Sequence, residues 1–149
     1  MSDKIVKKVE NLPQLTAVKR TDKLIQRVAA YARVSTGKEE QQTSIVAQKE
    51  YYTDYIKSHA GWQFVGVYAD EGISGCSTKR REQFKQLMSD CMAGKIDMVL
   101  TKSISRFGRN TVDTLTTIRE LKSKGIGVYF EKEQVWTMDS KGEFIITLM

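Results

Sequence analysis

The sequence has 149 residues, 40% of them hydrophobic, which fits one domain able to bury a core without disulfide or metal staples. The net charge is +6, but residues 1–30 carry seven Lys/Arg against three Asp/Glu, leaving only +2 for residues 31–149. A general polyanion-binding field is therefore excluded, and any contact with nucleic acid must come from a local cluster. Cys76 and Cys91 stand in no metal-ligand spacing and read as reduced thiols, and the N-terminus has no apolar run long enough for a signal peptide or membrane span. These features predict a soluble, cytoplasmic protein without membrane contact.

Residues 1–26 form a basic leader in which Lys and Glu alternate without an apolar stripe, and Pro13 is the sole proline. A domain over 27–149 follows. Gln26 to Val34 (QRVAAYARV) is an apolar run suited to a buried strand. The hydroxyls of Thr43 or Ser44 can cap a helix running to about Ser58, along which Tyr51, Tyr52 and Tyr55 form one partly buried surface. Trp62 to Ala69 (WQFVGVYA) is a second strand. Phe84, Leu87, Met88 and Cys91 recur at helical spacing, and Gly94 stops that helix. Met98 to Thr101 is a third strand. Asn110 can cap a helix that carries Val112, Leu115, Ile118 and Leu121 and is ended by the Gly125 region. Gly127 to Phe130 is a fourth strand, and an apolar segment opens at Gly142.

Strands alternating with helices predict an α/β fold, a central mostly parallel sheet of four or five strands flanked by helices in three layers. In such sheets ligands gather beyond the carboxyl ends of the strands. That edge should collect Arg33 and Ser35 after the first strand, Asp70 and Glu71 after the second, and Lys102, Arg106 and Arg109 after the third. Lys79, Arg80 and Arg81 precede the second helix. A serine hydroxyl facing several guanidiniums suits phosphodiester chemistry, because Arg forks match phosphate oxygens and stabilise charge that grows in the transition state. Each residue also has a plainer reading. Ser35 can close a strand end, Asp70 can cap the following turn, and Arg106 and Arg109 can form a solvated face beside Asp113. His59 suits an exposed helix end, Cys76 a small filler, and Phe107 packing beneath its loop.

Four collinear segments carry a specific resemblance. Tyr31-Ala-Arg-Val-Ser-Thr36 resembles the Y-x-R-V-S-T signature of the resolvase/invertase serine recombinases, and Ser44 with Gln48 matches the S-x-x-x-Q that follows it. Asp70 to Gly75 (DEGISG) is similar to the D-x-x-x-S-G segment, with Arg81 at its downstream arginine. Lys102 to Arg109 (KSISRFGR) resembles K-x-x-D-R-x-x-R. The likeness implies a resolvase-like catalytic domain in which Ser35 attacks a DNA phosphate and forms a 5′-phosphoserine link. It implies that Arg33, Arg81, Arg106 and Arg109 assist, supported by Gln48, Asp70 and Lys102. Double-stranded DNA is the implied partner, with a homodimer and a synaptic tetramer for the full-length protein. No cofactor, ATP or metal is implied, since the ester keeps the bond energy. The thirteen residues from Ser35 to Gln48 make the chain look more like the large serine recombinases of phages and mobile elements.

Two departures stand out. Ser105 occupies the place of the usual Asp, so that residue's role does not carry over; Asp70 or Glu71 are candidate substitutes. The chain also stops early in what would be the family's dimer helix, as expected of a fragment. A Ser-His-Asp hydrolase would need a nucleophile elbow and a serviceable histidine, and a Rossmann or P-loop protein would need glycine fingerprints that are absent. The rival that survives is a catalytically impaired recombinase-like module that binds DNA or a partner.

Overall fold

The computed structural model describes residues 25–35, 44–72, 81–108 and 110–148. Residues 1–24 of the expected leader, together with Thr43, Cys76, Lys79, Arg80 and Arg109, lie outside the described residues. Gln26, placed in the leader above, is the first residue of a strand, and its N–H donates to Gly61 O at 2.8 Å.

The elements in chain order are β1 (Gln26–Ser35), α1 (Ile45–Lys57), β2 (Trp62–Gly72), α2 (Glu82–Met92) and β3 (Met98–Thr101). Then come α3 (Ile104–Phe107), α4 (Thr111–Ser123), β4 (Gly127–Phe130), β5 (Val135–Trp136) and α5 (Ser140–Leu148). The five strands form one sheet in the order β2-β1-β3-β4-β5, parallel except for the last pair. This is the α/β sheet that the alternating pattern predicts.

β1 is an interior strand, paired on both sides, and its composition explains why. Val28, Ala29, Ala30 and Tyr31 are each 0% exposed, and small alanines let helices approach both faces. Ala29 and Tyr31 join Val99, Val128 and Phe130 beneath α2 and α4, where Leu87, Cys91, Ile118 and Leu121 complete one core. Val28, Ala30, Ala32 and Leu100 face the other way, against Tyr52 and Ile56 of α1. Burial in the first core pushes the Cys91 thiol up to about 12, so it behaves as an apolar filler.

Helix ends follow the local chemistry. Ser44 caps α1 by accepting from Ala47 N at 3.1 Å, and Asn110 caps α4 by accepting from Asp113 N at 2.9 Å. Gly94 and Gly125 follow α2 and α4 at φ of +80° and +79°, a conformation that side chains with a Cβ resist. The structure departs from the sequence reading, or adds to it, in three places. Val112 is 71% exposed, because the buried stripe of α4 runs through Thr114, Ile118 and Leu121. β2 continues to Gly72, so Asp70 and Glu71 sit in the strand, opposite Arg33 and Val34. The short elements α3 and β5 escape periodicity altogether, since four residues and two residues contain no repeat.

The phase of α4 is directly testable. Ile118→Ala should lower the unfolding free energy by about 2–5 kcal/mol, the cost of a cavity at a fully buried site. Val112→Ala should change it by less than about 0.5 kcal/mol. Urea denaturation of both variants checks the assignment; equal losses would show the helix rotated from the stripe described.

Candidate active site

The site grows from an unequal pairing. β1 pairs with β2 along its whole length, to Ser35 opposite Gly72, whereas its pairing with β3 stops at Tyr31 opposite Thr101. Past Tyr31 the β3-side edge of β1 has no strand beside it. The chain leaving β3 fills that gap with the single turn α3. Arg106 of α3 donates from Nη1 to Arg33 O, and Arg33 donates from Nη2 to Ser105 O at 3.1 Å. Two guanidiniums thus replace the missing ladder, each bonded to the backbone of the other's segment.

Arg33 has one further donor left over from these bonds. Its Nε is buried and finds no partner among the described residues, a costly state for a charged donor. Burial, and next the positive charge of Arg81, lower the guanidinium's proton affinity from its ordinary value. Gln48, Lys102 and Arg106 line the same cavity of about 610 Å³ as Arg33 and Val34. Ser35 follows Val34 as the last residue of β1; the structure describes its backbone and not its side chain.

Arg81 and Asp70 lie deeper. Arg81 is 7% exposed, donates from Nη2 to Phe107 O and from Nε to Tyr31 Oη at 3.3 Å, and lies 3.9 Å above the Phe84 ring centroid. Tyr31 Oη donates in turn to Asp70 Oδ2 at 2.7 Å. Burial holds the Tyr31 hydroxyl well above the usual phenol range, the Arg81 charge opposing and the Asp70 bond reinforcing, so it stays a donor. Asp70 also accepts from Gln83 N at 2.9 Å and Phe84 N at 3.0 Å, the first turn of α2. Arg81, at the cap position, makes no side-chain cap bond. The carboxylate reaching over from β2 is the cap, a variant of the plain reading of Asp70.

The structure therefore brings Arg33, Gln48, Lys102 and Arg106 to one cavity beside the end of β1. It sets Arg81 and Asp70 behind them as their support. Phe107 is 0% exposed beneath the loop, and His59 is an exposed residue stacked 3.7 Å from the Trp62 ring centroid. Residue-by-residue reading missed Glu131, Lys132, Tyr51 and Tyr52, which also line the cavity. Glu131 accepts from Tyr51 Oη at 3.0 Å and Tyr52 Oη at 2.8 Å. Burial and then this bond push the Tyr51 hydroxyl up to about 12. The signal was available, because Glu131 and Lys132 come directly after β4 at the same carboxyl edge. Among the described residues no group of three or more His, Cys, Asp or Glu is placed to hold a metal ion, and no helix is long and apolar enough to cross a membrane.

Residues 28–149 match the family model described as "Resolvase, N terminal domain". The chain belongs to the resolvase family. It is 30% identical over 123 residues to the transposon Tn3 resolvase of Escherichia coli, covering 83% of this chain and 60% of that protein. The R46 site-specific recombinase of Escherichia coli is 28% identical over 126 residues, 83% of this chain and 58% of that one. The chain thus spans about 60% of the length of such relatives. Among solved structures, the N-terminal catalytic domain of TP901-1 integrase superposes with a TM-score of 0.67 at 30% identity, covering 83% of this chain and 90% of that one. A resolvase family site-specific recombinase from Streptococcus pneumoniae gives 0.65 at 30% identity, with coverage of 83% and 82%. The resolvase-like α/β fold expected from the motifs is the fold of this domain.

The support role of Asp70 in this resolvase-family domain is measurable as stability. Asp70→Ala removes an acceptor of three hydrogen bonds and should cost about 1–3 kcal/mol of unfolding free energy. Glu71→Ala, at the exposed neighbouring position, should cost less than about 0.5 kcal/mol. Thermal and urea unfolding of the pair would expose an error in the capping assignment if the two losses matched.

Proposed function

We propose that this domain cuts and rejoins double-stranded DNA, with Ser35 as the nucleophile. The observation that carries the reading is the buried Nε of Arg33, without a partner among the described residues, on a side chain that lines one cavity with Arg106 and Lys102 two residues from Ser35. Several cations held close together repel one another, and a phosphodiester entering between them relieves that repulsion. Family membership, and relatives described as resolvases and a site-specific recombinase, support the same chemistry.

In the proposed step Ser35 Oγ attacks phosphorus, an Oγ–P bond forms and the P–O3′ bond breaks. The hydroxyl proton leaves Ser35, and the departing O3′ gains a proton to become a free 3′-hydroxyl. The DNA 5′-phosphate remains on Ser35, and the reverse attack by a 3′-hydroxyl religates the strand. Phosphoryl transfer asks chiefly for positioning and charge stabilisation. Arg33 and Arg106 supply the charge, Lys102 and Gln48 line the approach, and Arg109 joins them by its place in the matching motif. Asp70 and Arg81 act through Tyr31, α2 and the end of α3. The exposed Phe144 and Leu148, 62% and 67% accessible and four residues apart on α5, support assembly with a second copy of the full-length protein.

One observation favours the rival, a module that binds without cutting. Ser105 contributes a hydroxyl paired with Ser103 Oγ at 3.1 Å, and no carboxylate. A nicked duplex carrying the recombination site, incubated with the full-length protein, separates the two. Ser35→Ala should abolish the covalent adduct while leaving DNA binding nearly intact. Arg33→Ala and Arg106→Ala should each slow adduct formation roughly 100- to 1,000-fold. An adduct that persists in Ser35→Ala, with its phosphate mapped elsewhere, would end this reading.

A further inference from the structure

α3 carries Arg106 but is too short to hold itself in place. One turn fixes several dihedrals for a single hydrogen bond and has no stability of its own. Its residue at the cap position, Ser103, makes no side-chain cap bond, and its first turn contains no acid. The acceptor comes instead from another element. Ile104 N donates to Glu133 Oε1 at 3.2 Å, twenty-nine residues away and partly buried.

Glu133 sits in a turn built to present it. Glu131 N donates to Thr101 O at 3.0 Å and Lys132 N to Lys102 O at 2.7 Å, so the turn runs alongside the segment that leads into α3. Gln134 closes it at φ +56°, a left-handed conformation uncommon for residues other than glycine. Strain of this kind persists only where neighbouring contacts fix the conformation. At the other end of α3, Arg81 binds Phe107 O. The single turn is thus held by an acid at its positive end and a base at its negative end, the signs its dipole prefers.

We propose that Glu133 is a positioning residue for Arg106. It fixes the N-terminus of α3 and through it the mutual Arg33–Arg106 bonds, supplying from the β4–β5 turn the carboxylate that position 105 lacks. The proposal rests on the cleavage reading above. Its test is single-turnover adduct formation by the full-length recombinase on the nicked site, with DNA affinity measured alongside. Glu133→Ala should slow adduct formation about 10- to 100-fold, the scale of a misplaced catalytic group, while affinity stays within about twofold. Residue 105 is the second of α3, so Ser105→Asp puts a carboxylate in the same first turn. In the Glu133→Ala background Ser105→Asp should restore the rate to within about threefold of the parent, a recovery that repair of general stability would not give. If Glu133→Ala cannot be purified folded, Glu133→Gln carries the test, with about a threefold slowing from lost charge and the same recovery by Ser105→Asp. A Ser35 adduct formed at the parental rate in the Glu133 variant overturns this proposal alone, as does a double variant no faster than the single one. A parent that forms no Ser35 adduct overturns the nucleophile reading and this one with it.

Discussion

The mutual hold between Arg33 and Arg106 is the constraint on which the site depends. β1 outruns β3 by four residues, Ala32 to Ser35, and an unpaired strand edge inside a protein leaves backbone donors and acceptors to be satisfied. A further strand residue would satisfy them but would bring no chemistry. Here Arg106 meets Arg33 O and Arg33 meets Ser105 O, so the act of closing the sheet edge also gathers two guanidiniums beside the end of β1. Fold and site share the same bonds. A substitution at either arginine must therefore disturb both, and stability has to be measured beside any loss of rate.

Gathering cations has an electrostatic cost, and the surroundings show how it is met. Arg81 lies 3.9 Å over the face of Phe84, and its fork ends on Phe107 O and Tyr31 Oη. Among the described residues no carboxylate is bonded to it directly. Asp70 acts one bond further away, through the Tyr31 hydroxyl. A direct ion pair would neutralise Arg81 and weaken the field it projects onto Arg33. A ring face, a carbonyl and a phenol stabilise the guanidinium while leaving its charge in place. That residual charge is one reason Arg33 holds its proton less tightly than usual, burial being the larger. The result is a cluster of guanidiniums held in place by the protein's own groups, a preorganised positive charge for the DNA phosphate of the proposed reaction.

Much of this was legible in the sequence, for reasons that can be named. The buried strands β1, β2, β3 and β4 show as apolar runs, and the carboxyl-edge rule places Arg33, Lys102 and Arg106 together before any coordinate is known. Ser44 and Asn110 mark helix starts because short polar side chains there satisfy otherwise orphaned N–H groups. The misses share a cause. α3 and β5 are shorter than any period, and Val112 is exposed although Leu115, Ile118 and Leu121 of the same stripe meet the core, because Thr114 takes the buried place in the first turn. The tie between Glu131 and the two tyrosines of α1 spans about eighty positions. So does no local pattern; only the assembled sheet brings those groups into reach.

Asp70 illustrates how a motif residue and its role can separate. Its place after an apolar run and beside arginines suggests an acid at work on substrate, and one plain alternative is a cap for its own turn. In the fold its two oxygens are occupied by Tyr31 Oη and two amides of α2, a helix that begins twelve residues later. Ser105 shows the converse. Its side chain differs from the motif, yet its contribution to Arg33 is made by its backbone carbonyl, which any residue supplies. A position that acts through the main chain tolerates a changed side chain, provided the charge once offered there arrives from elsewhere. The carboxylate that accepts from Ile104 N at the start of α3 belongs to Glu133, and on the proposal made above the acid absent from position 105 is carried there.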